Sequence, residues 1–155
     1  MTTTSAVTSA TDRDVEQLSA RLAEAFRTGE PADLFTTDFF LDGHPPFWWF
    51  QLKGLDALTT WLEGYVAHGP EVTVIRTTTT EDGFLAEHLV SETVPDRGLI
   101  TGRRVHICTV RAGQIAEMTV YCSGDWDEAL RTRHAAEAPI LRRPQRHPLP
   151  PPTHP

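Results

Sequence analysis

Cysteine is scarce in this chain, which contains only Cys108 and Cys122. Neither belongs to a closely spaced Cys or Cys–His pair of the kind that binds zinc. The two runs of β-forming residues that contain them flank one short turn, and pairing about that turn places Cys122 opposite Gly102 or Arg103, about 15–20 Å from Cys108. A disulfide needs Cα atoms within about 7 Å. The sequence therefore predicts two free thiols and no metal site.

An excess of positive charge is also missing, since 14 Lys and Arg stand against 21 Asp and Glu for a net charge of −7. Nucleic-acid binding needs a basic face, so we expect no nucleic-acid partner. No apolar run approaches the roughly 20 residues of a membrane span, and no basic segment followed by an apolar one stands at the N-terminus. We expect a soluble, cytoplasmic protein with no membrane partner.

What remains is the composition of one globular domain, with 39% apolar residues in a chain of 155. Residues 1–11 are almost all Thr, Ser and Ala and predict a flexible leader. Residues 141–155 contain six prolines and three arginines and predict a disordered tail. The domain is therefore expected to span residues 12–140.

Helical periodicity dominates the first part of that domain. Residues 12–28 carry an apolar stripe at helical spacing, with Asp12 or Asp14 as the N-cap. A short second helix is predicted over 31–35, where a proline opens the segment. A third helix is predicted over 54–68.

Strand patterns flank and follow the third helix. Two short strands are predicted before it, over 38–42 and 47–52. Four longer strands and a short helix follow it, over 71–80, 84–94, 103–110, 114–122 and 126–138. Links of hairpin length join the long strands, so neighbouring strands are expected to be antiparallel. Helices followed by such a sheet predict an α+β fold in which the helices pack on one face.

The turn in the last hairpin decides which side chains face the helices. Residues 111–113 read as a three-residue turn ending in glycine, which places His106 on the inner face. A two-residue turn would instead place Val105 and Ile107 inside, with His106 in solvent. Both alternatives remain open from the sequence.

Four short motifs occur in an order that resembles the nuclear-transport-factor-2-like (NTF2-like) family. They are the acidic first strand 34–42, the glycine-led helix start 54–58, the TGR triplet 101–103 and the GQIAE segment 113–117. The resemblance implies a cone in which a curved antiparallel sheet wraps around three N-terminal helices and encloses one internal pocket. Because this fold hosts many chemistries, the resemblance implies the fold more firmly than the activity.

Comparison with subfamilies gives a mixed pattern. SnoaL-like polyketide cyclases have a His before the last hairpin turn, matched by His106, and an Asp fourteen residues later, where this chain has Val120. Members similar to ketosteroid isomerase place a base near the end of the first strand, where Asp42 and His44 stand. Members similar to limonene epoxide hydrolase use an Arg-x-Asp pair and an Asp on the last strand. The nearest positions here are Glu92, Val94 and Val120, so that triad is absent.

The candidate acid–base residues lie where a pocket would bring them together. They are His106, His88, Asp42, His44 and Glu92. Pairing about a turn at 96–98 brings His88 opposite His106, with Glu92 on the same face. A pocket that excludes water moves the pKa values of carboxyls and imidazoles toward neutrality. Such groups can move a proton to and from a carbon next to a carbonyl, or open an epoxide.

Candidate substrate-binding residues are mostly aromatic. They are Trp48, Trp49, Trp61, Tyr65, Met118, Val120 and Trp126. Structural roles remain open for several of them: Trp61 fits the core, and Trp126 either plugs the open end of the cone or staples the last helix.

We therefore expect a small, cofactor-independent enzyme of bacterial secondary metabolism, of the cyclase, isomerase or dehydratase type, acting on a hydrophobic small molecule. One alternative is a non-catalytic binder of an aromatic or isoprenoid-like metabolite. Another is an association module whose convex sheet forms a homodimer and whose Pro-rich tail recruits a partner. Pairing through that face is implied by the resemblance, and Glu117, Thr119 and Tyr121 suit it.

Overall fold

The computed structural model describes residues 11–31, 33–138 and 140, and the predicted tail and all but the last residue of the predicted leader lie outside them. The elements are α1 Asp12–Thr28, β1 Phe35–His44, β2 Phe50–Lys53, α2 Leu55–Val66, β3 Glu71–Thr79, β4 Gly83–Val94, β5 Gly98–Arg111, β6 Gln114–Cys122 and α3 Glu128–Glu137. None of the helices in this part of the chain is both long and apolar enough to cross a bilayer.

All six of these strands form one curved sheet, in the order β2-β1-β6-β5-β4-β3. The α+β prediction is confirmed, but the expectation of a wholly antiparallel sheet is wrong at one junction. There β1 pairs with β6 in parallel, with Leu41 opposite Met118. The two strands are separated by most of the domain rather than by a hairpin, so no tight turn constrains their direction.

Helix α1 is stabilised by a stripe of buried apolar residues and by a cap at its N-terminus. Val15, Leu22 and Phe26 are at most 3% exposed, and burying such a side chain stabilises the fold by about 1.5–3 kcal/mol. The cap is Thr11, whose hydroxyl accepts from the Asp14 N–H while the Asp14 carboxylate accepts from the Thr11 N–H. Asp14 therefore completes the capping box and is not the N-cap.

The predicted short helix over 31–35 is absent from the described residues. Phe35 instead begins β1 and pairs with Ile115 of β6, because the core needs this aromatic residue in the sheet. Strand β2 begins at Phe50, later than predicted, since Phe47 has a φ of 63° that breaks the extended backbone. Of the three N-terminal helices expected, α1 and α2 are therefore present, and α3 follows the sheet.

The last hairpin has a two-residue turn, yet His106 faces inward. Ala112 and Gly113 both have positive φ, at 51° and 79°, as in a type I′ turn. A register shift between Thr109 and Val110 then adds one residue to β6, so that Val120 lies opposite His106. In β5 itself the alternation is unbroken, so His106 shares the inner face with the buried Cys108 and is 1% exposed. The alternative that placed its neighbours inside is wrong.

Both cysteines are free thiols, as predicted. Cys122 lies opposite Arg104 and Cys108 lies opposite Met118, so the two thiols are four residues apart in register. The predicted partner of Cys122 was one or two residues away, since the turn and the bulge together shift the pairing.

Two glycines offer a matched test of this packing. A Cβ on Gly83 would lie 2.0 Å from the carbonyl oxygen of Cys108 in the neighbouring strand, whereas a Cβ on Gly64 in α2 would meet nothing within 4 Å. We expect Gly83→Ala to lower the free energy of unfolding by about 1–3 kcal/mol. Gly64→Ala should raise it by about 0.5–1 kcal/mol, because Ala has less conformational freedom to lose. Urea unfolding followed by circular dichroism measures both, and equal effects would contradict this packing.

Candidate functional site

A cavity of about 550 Å³ lies between the helices and the inner face of the sheet. Its apolar lining comprises Phe26, Leu41, Phe50, Trp61, Val94, Ile100 and Val120. The volume falls within the range of small-molecule sites, which are mostly apolar with a few placed polar groups.

One wall of the cavity is a continuous aromatic stack. The rings of Trp61 and Tyr65 lie 5.3 Å apart and almost parallel, and the Phe50 ring lies 6.1 Å from Trp61. Residues four apart share one face of a helix, so α2 presents Trp61 and Tyr65 together. A flat hydrophobic ligand suits such a wall.

The polar end of the cavity is a connected chain of four side chains. Arg104 of β5 donates to the Tyr65 hydroxyl at 2.6 Å and to the Glu92 carboxylate at 3.0 Å. The other Glu92 oxygen lies 3.0 Å from Nδ1 of His68. The Glu92 side chain is 7% exposed and that of Arg104 is 16% exposed, so the ion pair is mostly shielded from water. We call these four residues the Arg104 network.

This geometry fixes where protons lie. When Nδ1 of His68 donates to Glu92, the Nε2 atom of this cavity-lining residue is left as an acceptor. The Tyr65 hydroxyl accepts from Arg104 and keeps its own proton to donate elsewhere. Burial raises the pKa of Tyr65 to about 12, against the opposing charge of Arg104, so the hydroxyl stays protonated.

Arg104 keeps its charge despite its burial. Desolvation lowers the pKa of the guanidinium, but the nearby Tyr65, Cys122 and Glu92 raise it, and the net shift is upward. A buried cation that is paired and hydrogen-bonded in this way is a fixed positive charge beside the cavity.

A pair of buried imidazoles stands next to this network. His106 lines the cavity, and His88 is fully buried with its ring centroid 4.6 Å from that of His106. The Phe26 ring of α1 packs 5.2 Å from His106. None of the four imidazole nitrogens has a hydrogen-bond partner among the described residues. Unpartnered buried nitrogens carry a desolvation cost that a bound polar group would remove.

The two histidines meet diagonally and not directly. The expected pairing of His88 with His106 is wrong, because His88 lies opposite Arg104 and Ala86 lies opposite His106. The connecting turn is centred one residue earlier than predicted, since Val94 pairs with Gly98. Ring side chains at diagonal positions on one face of a sheet are still close enough to contact each other, as these two rings do.

Both imidazoles are held in the neutral form. Burial lowers the pKa of His88 to about 4, with the charges of Arg104 and Arg27 acting in the same direction. Burial also lowers the pKa of His106 well below its usual value, with smaller effects from His88 and Arg104. At neutral pH each ring therefore has one donor and one acceptor nitrogen.

Asp42 lies on the outer face of β1, because Leu41 and Gly43 on either side of it are buried. Its carboxylate accepts from Trp49 at 2.6 Å and Gln51 at 3.1 Å and lies 2.8 Å from Nε2 of His44. The bonds from Trp49, His44 and Gln51, in that order, lower the Asp42 pKa to about 2. The expectation that Asp42 approaches the pocket is therefore wrong.

His44 lies at the boundary between the cavity and the outer face of the sheet. The residue contributes to the cavity rim, but its ring stacks on Tyr121 at 4.9 Å and on Trp49 at 6.2 Å, outside the cone. The alternation of β1 puts its side chain on the same face as that of Asp42. The ring thus belongs to an outer aromatic cluster with Trp49 and Tyr121.

Only three of the seven predicted substrate-binding residues line the cavity. Trp61, Tyr65 and Val120 line the cavity. Trp48 and Trp49 are 71% and 64% exposed, and Met118 is buried in the core, so the structure places none of these three in the lining.

Trp126 borders the mouth of the cavity without lining it. It exchanges two backbone hydrogen bonds with Thr101, and the preceding Asp125 lines the mouth and pairs with Arg97 at 2.9 Å. Trp126 therefore holds the segment before α3 against the start of β5. Of the two predicted roles, it staples the last helix and does not plug the open end of the cone.

Sequence reasoning missed His68 and Arg104. Arg104 precedes His106 by two positions, so strand alternation places both on one face, and this signal was available. His68 carried no signal, since it follows α2 and meets Glu92 only through the fold.

Among the described residues, no three His, Cys, Asp or Glu side chains are arranged to hold a metal ion.

No protein-family model matches the sequence, and no curated protein matches it. Solved structures do match. A candidate SnoaL-like polyketide cyclase from Jannaschia sp. CCS1 superposes with a TM-score of 0.57 at 16% identity, covering 88% of this chain and 100% of that one. The epoxide hydrolase/cyclase-like enzyme SalBIII, which acts in pyran ring formation in salinomycin, gives 0.56 at 19% identity over 72% and 97%.

An NTF2-like protein of unknown function from Cytophaga hutchinsonii gives a TM-score of 0.53 at 16% identity, covering 70% of this chain and 98% of that one. Identities this low establish the architecture and leave the activity open. The three helices and the curved sheet agree with these likenesses. This chain has the NTF2-like fold, as the sequence motifs predicted.

Proposed function

We propose that this protein is a cofactor-independent enzyme that acts by general acid–base catalysis on a hydrophobic carbonyl compound bound in the cavity. The Arg104 network carries the proposal, because it joins a candidate base to two hydrogen-bond donors at the end of an aromatic wall. The likeness to SalBIII and to a SnoaL-like protein supports a cyclase, isomerase or dehydratase of bacterial secondary metabolism.

The roles follow from the proton positions. Nε2 of His68 abstracts a proton from carbon, and Glu92 orients the ring and stabilises the imidazolium that forms. The Tyr65 hydroxyl and the Arg104 guanidinium stabilise the negative charge that develops on the carbonyl oxygen. No cofactor is needed for this sequence of steps.

His106 contributes as a neutral group. Its free nitrogens bond a polar atom of the substrate, and His88 behind it is the only other imidazole in ring contact with it among the described residues. An imidazole with a strongly lowered pKa is a weak base, so positioning suits His106 better than proton abstraction from carbon.

A non-catalytic binding protein is the second candidate. The observation that favours it is the aromatic stack of Phe50, Trp61 and Tyr65, which accounts for binding of a flat metabolite without any chemistry. The two candidates differ in whether a bound ketone exchanges its α-protons.

We expect the protein to catalyse exchange of the α-protons of hydrophobic cyclic ketones in D₂O, measured by ¹H NMR. His68→Asn should slow this exchange about 10²–10⁴-fold, because it removes the base. Glu92→Gln should slow it less, since the ring loses only its orienting carboxylate.

Asp42→Asn is the control and should leave the exchange rate unchanged, because Asp42 lies on the outer face. Ketones that bind, by calorimetry, without exchange above the buffer rate would favour the binding protein. Exchange that persists in His68→Asn would assign the base to another residue.

The buried imidazoles predict a loss of stability on mild acidification. The unfolded chain binds protons near pH 6.5 and the folded chain only near pH 4 at His88, so the stabilising difference is complete above pH 6.5 and is lost as the pH falls toward 4. Between pH 7 and pH 5, we expect each such histidine to contribute a decrease on the order of 2 kcal/mol in unfolding free energy.

His88→Asn and His106→Asn should each reduce this decrease by about half, whatever their effect on absolute stability. His134→Asn, on α3 and outside the cavity lining, is the control and should leave the decrease unchanged. Urea unfolding at the two pH values measures it. Equal decreases in all four proteins would contradict the neutral, buried pair.

We also propose that the protein is a homodimer that pairs through the outer face of the sheet. Supporting this, Ile107 and Tyr121 on that face are 46% and 51% exposed, next to the exposed Trp49. Light scattering at micromolar concentration should give about twice 17.3 kDa. Tyr121→Glu should halve the mass, while Ile140→Glu, at an exposed position outside the sheet, should not. A mass of one chain for the unmodified protein would refute the dimer.

A further inference from the structure

The cavity contains a nucleophile that the proposed acid–base chemistry does not use. Cys122 ends β6 on the same face as Met118 and Val120, lines the cavity and is partly exposed. The other cysteine, Cys108, is 1% exposed, and burial raises its pKa. Of the two thiols in this hairpin, Cys122 is therefore accessible from the cavity and Cys108 is buried in the core.

One cationic residue and one backbone N–H donor stand beside Cys122. Arg104 lies directly opposite Cys122 in the β5–β6 pair, on the same face of the sheet. The backbone N–H of Gly124 donates to Sγ at 3.4 Å. A cation and an N–H donor beside sulfur are the features that distinguish reactive cysteines from inert ones.

A second feature indicates that a ligand occupies the space beside this sulfur. His106 lines the same cavity, is 1% exposed and has no partner for either nitrogen. Val120 lies opposite His106, and Cys122 stands two residues further along the same face, about 7 Å on. A ligand whose polar atom bonds His106 therefore extends toward the sulfur.

We propose that Cys122 is a covalent capture site for hydrophobic α,β-unsaturated ketones that enter the cavity. The thiol loses its proton and sulfur forms a C–S bond to the β-carbon of the ligand. The electron pair of the C=C bond moves toward the carbonyl, and the α-carbon takes up a proton. The net change is addition of S–H across the double bond, with no oxidant or reductant required.

This site requires that ligands enter the cavity but does not require that the cavity catalyse a reaction. Its test is therefore separate from that of the proposed enzyme, since an adduct forms with or without α-proton exchange. A failure of the adduct likewise leaves the exchange experiment unaffected.

The experiment treats the intact protein with trans-chalcone, a flat hydrophobic enone, and follows adduct formation by intact-mass spectrometry and peptide mapping. We expect one adduct per chain, on Cys122, at a rate that saturates with chalcone concentration. At low concentration the rate should exceed that of glutathione at the same pH by at least about tenfold, because the cavity binds and orients the enone.

Cys122→Ser should abolish the adduct and the matched Cys108→Ser should retain it, with circular dichroism confirming that both fold. Arg104→Lys, which keeps the positive charge, should retain part of the rate, and His106→Asn should weaken saturation. Modification of Cys108 at a comparable rate, or a non-saturating rate equal to that of glutathione, would overturn the proposal.

Discussion

Everything at the polar end of the cavity depends on one ion pair, between Arg104 and Glu92. A charge shielded from water is stable only when its partner and its remaining hydrogen bonds are supplied, and here Tyr65 and His68 complete the set. Because these residues come from α2, the loop after it, β4 and β5, the pair also fixes how the helix end meets the sheet. The same cation also lies opposite Cys122 in the β5–β6 pair, so one buried charge stands beside both the proposed acid–base groups and the thiol.

Periodicity was sufficient to predict most of the architecture. The long strands, the α2 region and the order of elements follow from alternation and helical spacing, which local sequence encodes directly. The parallel pairing of β1 with β6 could not be predicted in this way, because contacts between distant segments have no local signature in the sequence. The segment 31–35 was misassigned for a related reason, because a proline suggested a helix start while the core required Phe35 in the sheet.

The candidate site was only partly predictable. His106, Glu92, Trp61 and Tyr65 followed from strand and helix faces, but the bulge that places Val120 opposite His106 has no sequence signal strong enough to foresee. Asp42 was misplaced because a short strand of uncertain start does not reveal which alternating set is buried. His68 was out of reach, since only the packing of the loop after α2 against β4 brings it to Glu92.

The position of β6 in the sheet has a consequence for how the chain folds during synthesis. This strand is the last of the six to be made, yet it lies between β1 and β5 near the middle of the sheet. Until it leaves the ribosome, β1 and β5 each present an unpaired edge, and the core between them cannot close. Nascent chains halted before Gln114 should therefore be protease-sensitive and should depend on chaperones to avoid pairing with one another.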